Sequence, residues 1–542
     1  MTYILGVNAG LGIFHDPAAC LVDEHGTVLA FIEEERLNRV RHSAGVKAPA
    51  LAVARCLETA GIDAADVDVV AVGWDEPRMS ARQGAPWHFD SPRHLLGQLG
   101  FYGPQLPDLQ FHPHHQAHAA SAFHASPYDQ AAVLVVDGNG EDECISIYRA
   151  RRGQPLVRLE RWPQVFSLGH LYEAASLWLG LGRRGAGKTM GLAAYGATDN
   201  VPDPGWLSVG PHGLISALGT STGDDYYATK DRWHKRIRQF AGAAGPQQPT
   251  ANLDADPNAV KVAAAVQTTV ETVVSWMAGQ VREMTGIDNL CIAGGVGLNC
   301  AANGRLPGEL YVPPVPHDAG VALGAAWSLA APREAVVFSA YTGGLPGPLP
   351  TDLGSVTAQE LDVDRVADLL AEGRIVAVCR GRSEVGPRAL CHRSFLASPV
   401  TAQMRQWMNS LKRREQWRPF GPVTHTDPGL WEPAGHLERY MIGAARLTCS
   451  GATALPAVAH VDGTTRPQRL EPGQEDFVSA VLDALVQRGH PPVLLNTSFN
   501  GPGEPLVETA GQAVACVRRL GADALVVDDA LVLTGDRAMV PG

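Results

Sequence analysis

Two histidines one helical turn apart carry the first chemical signal in this chain. They lie in His114-His115-Gln116-Ala117-His118, which runs on through apolar residues to Phe123. On a helix His114 and His118 share a face, a spacing suited to gripping one metal ion. The apolar run 131–136 then ends in Asp137, where a strand-end carboxylate can meet the two imidazoles. The competing account is a solvated histidine cluster beside a turn-forming aspartate; Asp137 at a strand end favours the metal. Asp318, in His317-Asp318-Ala319-Gly320, is open to two readings, a fourth ligand or a first-turn acid of the next helix. His15, beside Asp16, is a candidate general base, and a packed hairpin histidine is the equal alternative.

Phosphate chemistry is suggested at three places. Residues Gly182 to Thr189 match G-x-x-x-x-G-K-[ST] letter for letter, but such a loop works only between a strand and a helix. Residues 168–179 read as a helix, glycines interrupt residues 190–196, and no strand ending in an acid is placed to assist. The nucleotide-loop reading is therefore rejected, and Lys188 is kept as a Gly-rich-loop contact to substrate or nucleotide. Gly294-Gly295 follow a strand at 289–292 and lead through Asn299 towards a helix. That makes either an anion site built from free amides or a tight strand-to-helix connection. The third place is most informative. Between 380 and 418 stand Arg380, Arg382, Arg388, Arg393, Arg405, Lys412, Arg413, Arg414 and Arg418, against Glu384 and Glu415 alone. Arginine forks fit phosphate oxygens bidentately, and the apolar residues threaded through this run argue for a pocket over a solvated surface. Arg466 comes later, and the apolar run 493–495 enters Asn496-Thr497-Ser498-Phe499-Asn500, whose groups suit a ribose, a base, a phosphate or a turn cap.

These residues need a scaffold to position them. Strand, tight turn, strand is read at 4–7, 18–22 and 28–32, and again at 131–136 and 144–148. That pattern implies an internally duplicated α/β domain of the actin-like and sugar-kinase-like kind. Gly343 to Pro350 is dense in glycine and proline and divides the chain near residue 350, giving domains 1–350 and 351–542, the second also α/β. A length of 542 residues exceeds one ordinary core. The net charge of -12 speaks against nucleic acid or anionic membrane as a partner. Nine scattered cysteines, never in C-x-x-C, point to reduced thiols in a cytoplasmic protein. No leader pattern is read, and no apolar run reaches the roughly 20 residues of a membrane helix.

Taken together the motifs resemble those of the carbamoyltransferases of antibiotic and nodulation-factor biosynthesis, especially the aminoglycoside, cephem and macrolide or ansamycin O-carbamoyltransferases. The match runs over almost the whole chain. It includes Phe14-His15-Asp16-Pro17-Ala18-Ala19, Glu33-Glu34-Glu35-Arg36, His114 to Ala119, Gly187 to Leu192, Gly294-Gly295-Val296, Gly386-Pro387-Arg388-Ala389-Leu390, Arg418-Pro419-Phe420-Gly421-Pro422, His460 to Thr464 and Asn496 to Asn500. The resemblance implies an actin-like (ASKHA) N-terminal domain similar to the tRNA-threonylcarbamoyl transferase subunit TsaD, and a C-terminal domain similar to YrdC. It further implies that the second domain forms carbamoyl-adenylate from carbamoyl phosphate and ATP with Mg2+. The first would pass the carbamoyl group to a small-molecule hydroxyl at a metal, typically iron. Carried over by position, His114, His118, Asp137 and Asp318 are the implied metal ligands. Arg388, Lys412, Arg418, Arg466 and Asn496 are the implied donor site, the first three also catalytic. One departure is Pro502, where relatives carry a basic residue, which puts any phosphate contact there in doubt. Competing readings are an actin-like sugar or acyl kinase and a tRNA-modifying carbamoyl transferase. A homodimer is compatible with all of them.

Overall fold

The computed structural model describes residues 2–10, 15–83, 91–196, 201–220, 226–242, 244–246, 248–335, 338–353, 358–473 and 475–534. It falls into two compact units, Met1–Asn38 with His42–Ser339, and Arg39–Arg41 with Ala340–Gly542. The passage between them lies at Ser339, ahead of the Gly/Pro-rich stretch.

The first unit is built twice on one plan. β1 (Tyr3–Asn8), β2 (Ala18–Asp23) and β3 (Val28–Glu33) form an antiparallel meander, and β4 (Val67–Val72) and β5 (Asp108–Phe111) extend it in parallel, in the order β3-β2-β1-β4-β5. The second half repeats the plan. Its meander is β6 (Gln130–Val136), β7 (Glu143–Arg151) and β8 (Val157–Pro163). After a hairpin of β9 (Leu207–Gly210) and β10 (Gly213–Ser216) come β11 (Leu290–Ala293) and β12 (Leu310–Tyr311), which add in parallel to β6. The order β12-β11-β6-β7-β8 matches that of the first half, so this unit is the duplicated actin-like α/β fold. The central strands β1 and β6 are almost continuously apolar and buried, as strands covered on both faces must be.

Two helices pack on these sheets and on each other: His114–His124, buried except at Gln116, against β6 and β11, and the wholly buried Gly320–Trp327 against β1 and β2. Their backbones nearly touch. A Cβ on Gly324 would lie 1.8 Å from the Ala117 carbonyl oxygen, and one on Gly6 of β1 would lie 1.9 Å from that of Ala322. Only glycine permits such approaches.

The second unit is an α/β sandwich on an eight-stranded mixed sheet. Its strands are β13 (Ala358–Glu360), β14 (Val376–Cys379), β15 (Arg393–Ala397), β16 (Gly421–Thr424), β19 (Gln468–Arg469), β20 (Leu494–Ser498), β21 (Ala524–Val527) and β22 (Ala530–Leu533), in the order β13-β22-β21-β14-β15-β20-β16-β19. A small ribbon, β17 (Ala445–Arg446) with β18 (Thr464–Thr465), stands apart. Strand alternation feeds two cores: Phe395 and Ala397 point to one with Met404, Met408 and Phe499, while Leu396 points to the other with Leu370, Val478 and Leu482. Among the described residues no helix is long and apolar enough to cross a membrane.

Candidate metal centre and anion pocket

The helix His114–His124 begins at its first metal-ligand candidate, directly after Pro113. His114 and His118 point the same way, with their Nε2 atoms 3.1 Å apart. β6 delivers Asp137 to them: its Oδ2 lies 3.4 Å from His114 Nε2 and 3.6 Å from His118 Nε2. Asp318 does not cap the helix Gly320–Trp327; its Oδ1 sits 3.8 and 3.7 Å from the same two nitrogens. All four ligand atoms fall within 4.8 Å of one another. Ligands about 2.1 Å from a tetrahedrally surrounded ion lie about 3.4 Å apart, so the spacing fits one bound metal. Two imidazoles and two carboxylates suit iron, manganese or zinc alike.

The charge balance of this buried group points the same way. Burial alone would raise the Asp137 pKa, but His114 and His118 hold it well below the usual carboxylate range. Burial would lower that of His118, yet Asp137 and Asp318 raise it to about 9. The four groups call for positive charge at their centre. Neighbours fix the ligands further. Gly73 O accepts from His114 Nδ1 (3.2 Å), the Trp74 ring stacks on the His114 ring (3.7 Å, 21°), and Gly295 N–H donates to Asp137 Oδ1 (2.9 Å). Such outer contacts set ring orientation and leave Asp137 Oδ2 facing the histidines.

That last contact favours the tight strand-to-helix connection at Gly294-Gly295. The Gly295 amide expected to meet an anion is engaged by Asp137, and Gly294 takes φ 89° so that the backbone can pass β6, where a Cβ would lie 2.2 Å from Val136 O. Asn299 accepts from Ala302 N and exchanges two hydrogen bonds with Gln267, so it is satisfied within the protein. Lys188 is likewise not on a Gly-rich loop. It lies in the helix Ala186–Ala193, preceded by the helix Leu168–Trp178 and no strand, with Thr189 buried on Ser176 Oγ.

His15 lies in the turn before β2, its side chain 42% exposed and its Nδ1 2.8 Å from Asp16 Oδ2. Burial would lower its pKa, but the Asp16 carboxylate prevails and raises it to about 9. The link from here to the metal centre was missed in the sequence. Asn8, at the end of β1, donates from Nδ2 to Asp16 O (2.9 Å) and accepts from Trp74 Nε1 (3.0 Å), and Trp74 is the ring stacked on His114.

In the second unit the helix Ala402–Leu411 runs into Lys412, and Arg413 then takes φ 47° to turn the chain towards β16. The Lys412 ammonium is buried against Ser498 O, Ser498 Oγ (3.3 Å), Asn500 O (3.1 Å) and Asn500 Oδ1 (2.9 Å). The Ser498 and Asn500 groups of the hydroxyl and amide cluster thus hold a cation. Arg414 donates to Asn409 Oδ1 and Pro419 O and lies 4.0 Å over the Phe420 ring. Arg418 has Glu415 at 3.6 Å. Burial first, then Arg414, with Arg418 and Arg41, pushes the Lys412 pKa well down; burial, Arg418 and Arg466 do the same to Arg414. Five cations therefore act on one another, with Glu415 beside Arg414 and Arg418, a strong field for an anion. Arg41 and Arg414 were not singled out in the sequence; Arg41 belongs to the three-residue segment that packs with this unit. Asn496 holds the neighbouring loop that carries Arg388, through Ala389 O (3.0 Å), and binds Gln468 Oε1 (2.7 Å). Its buried Oδ1 has no partner among the described residues.

Known proteins divide in the same way. The carbamoyltransferase N-terminus model matches residues 98–327, and the carbamoyltransferase C-terminus model matches residues 367–534. Nodulation protein NolNO of Sinorhizobium fredii is 33% identical over 96% of this chain and 79% of its own length. The 3'-hydroxymethylcephem-O-carbamoyltransferase of Amycolatopsis lactamdurans is 32% identical over 64% of each chain. Among solved structures, component A of the (R)-2-hydroxyglutaryl-CoA dehydratase of Acidaminococcus fermentans covers 61% of this chain and 98% of its own at 14% identity and a TM-score of 0.35, too distant for any inference. With both family halves matched in order and 96% of it aligned to a relative at one-third identity, this chain belongs to the carbamoyltransferase family.

Proposed function

We propose that this chain is an ATP-dependent O-carbamoyltransferase acting on a hydroxyl of a small secondary metabolite. In this reading the second unit, the YrdC-like one, hydrolyses carbamoyl phosphate to carbamate and phosphate. It then joins carbamate to the α-phosphate of ATP, releasing pyrophosphate. The cations Lys412, Arg414, Arg418 and Arg466, with Arg388 and Arg41, bind the two phosphate-bearing substrates and stabilise charge on the transferring phosphoryl group. The unpaired Asn496 Oδ1 suits an N–H of the carbamoyl amide.

In the first unit His114, His118, Asp137 and Asp318 would hold a divalent metal, iron being the family's usual ion, and that metal supplies Lewis-acid polarisation when bound. His15 Nε2 takes the proton of the acceptor hydroxyl as its oxygen attacks the carbamoyl carbon. The bond from that carbon to the AMP oxygen breaks, and the carbamate ester and AMP leave. The observation carrying this reading is that each unit holds one half of the equipment: a buried His2Asp2 cluster in the first, five mutually felt cations in the second.

The test is the nucleotide product. With carbamoyl phosphate present, ATP should yield AMP and pyrophosphate, and none without it. Formation of ADP and a phosphorylated acceptor would establish the kinase reading instead.

A further inference from the structure

Outside the metal ligands the first unit holds a second knot of titratable groups around Asp16. Its Oδ2 meets His15 Nδ1 at 2.8 Å and its Oδ1 meets His42 Nδ1 at 2.7 Å. Glu35 accepts from the His42 backbone N–H at 2.5 Å. Asp16, Glu35 and His42 lie close enough to suggest a second ion site, but the spacing decides against one. These atoms are donor–acceptor pairs at hydrogen-bond distance, whereas at the metal centre the two histidine nitrogens stand 3.1 Å from each other and 3.4–3.8 Å from the carboxylate oxygens. The knot is also built at a conformational cost. Asp16 (φ 56°), His42 (φ 59°) and Ser43 (φ 43°) are all left-handed, and non-glycine residues accept this where the surroundings enforce it, typically at functional sites.

We propose that Asp16 is a positioning residue for the transfer reaction: gripped at both oxygens by His15 and His42, it fixes His15 with Nδ1 protonated and Nε2 free towards the acceptor. This rests on the reading of His15 as general base. Both rings must donate to the one carboxylate, so each has its proton on Nδ1 and its Nε2 available. His15 Nε2 has no partner among the described residues, and its side chain is the most exposed of the three, 42% against 7% for Asp16 and 25% for His42. The arrangement obeys the logic of a histidine base oriented by a buried aspartate, with His42 steadying the aspartate from its far side. The other charged groups facing the knot are His317, 4.0 Å from Asp16 and 3.5 Å from Glu33, together with Asp318 and Arg184, which act on His15 in opposite directions.

The test needs no acceptor. Diethyl pyrocarbonate acylates only neutral imidazole, and peptide mass spectrometry reads the rate at His15 in the metal-loaded protein. Asp16→Asn keeps a side chain that tolerates left-handed backbone while removing the charge. If the His15 pKa falls from about 9 to the ordinary value near 6.5, acylation at pH 7 speeds up about 70-fold. His42→Asn also tolerates the backbone and leaves the Asp16 charge to His15, so it should give no such acceleration. A less than tenfold change in Asp16→Asn, or equal acceleration in both variants, overturns the proposal, the second because it signals only a loosened turn. Should the acylation pattern hold while His15→Ala retains carbamoyl transfer, the general-base reading fails and the positioning of His15 stands.

Discussion

Replacing Gly324 by alanine should empty the metal centre without touching a ligand. The new Cβ would lie 1.8 Å from Ala117 O, whereas carbon and carbonyl oxygen need about 3.3 Å. The two helices must therefore part by about 1.5 Å. One carries His114 and His118, and the other begins two residues after Asp318. Metal–ligand distances tolerate only about 0.2 Å, so the displacement detaches Asp318 from the other three. Metal affinity should fall about 100-fold or more, a loss of about 2.7 kcal/mol, while overpacking costs about 1–3 kcal/mol of fold stability. Zn2+ competition against a chromophoric chelator measures the first, and thermal unfolding of the metal-stripped protein the second. Gly279→Ala is the control. It lies in the helix Pro257–Thr285 with nothing within 4 Å of its added carbon, and it should keep metal binding and gain up to about 1 kcal/mol. A folded Gly324→Ala protein with unchanged Zn2+ affinity would refute the claim that this close approach sets the ligand geometry.

Other expectations divide by half-reaction. Arg466→Gln should slow carbamoyl-phosphate-dependent ATP–pyrophosphate exchange about 10- to 100-fold, the worth of one charged phosphate contact, whereas His118→Ala should leave exchange within about twofold and abolish transfer; loss of the same half-reaction in both would contradict the division of labour. Transfer measured with a carbamoyl-accepting alcohol should rise with pH, because His15 must be unprotonated to act and its pKa is raised to about 9: about tenfold per unit below pH 8, levelling above 9. Asn8→Ala strands the buried Trp74 N–H, costing about 1–3 kcal/mol of stability, and should weaken metal binding about tenfold through the freed Trp74 ring; chelator titration that finds metal binding unchanged would remove Asn8 from the site.

The sequence disclosed what depends on short range. Continuous apolar runs marked β1 and β6, and helical spacing put His114 and His118 on one face. Asp137 stood out because a strand end is visible in its residues. What stayed hidden depends on register between distant segments. Gly295 meets Asp137 only because β11 pairs with β6, Ala293 opposite Val135, and no local pattern encodes that pairing. The same holds for Asp16 with His42, twenty-six positions apart, and for Arg41, whose three-residue segment leaves its own unit. The basic run 380–418 was legible as a pocket, but Lys412 being buried on the Ser498 and Asn500 groups was not, since it takes β20 to bring them there.

The duplication explains why the two halves of the first unit contribute unequally to one site. β1 ends in Asn8, and Asp137 follows directly on the last residue of β6; the parallel neighbours β4 and β11 are followed by Gly73-Trp74 and Gly294-Gly295. In both halves the side chain at the end of the central strand accepts a hydrogen bond from the second residue past its neighbour: Asn8 from Trp74 Nε1, Asp137 from Gly295 N. The device is one; its remaining polar atom differs. Asp137 keeps an oxygen free and turns it to the histidines, whereas the Asn8 amide nitrogen is a donor, unfit for a cation, and holds the Asp16 carbonyl instead. A single difference between amide and carboxylate at equivalent strand ends thus makes one half a source of metal ligand. It makes the other a brace that orients His114 through Trp74 and the candidate base through Asp16.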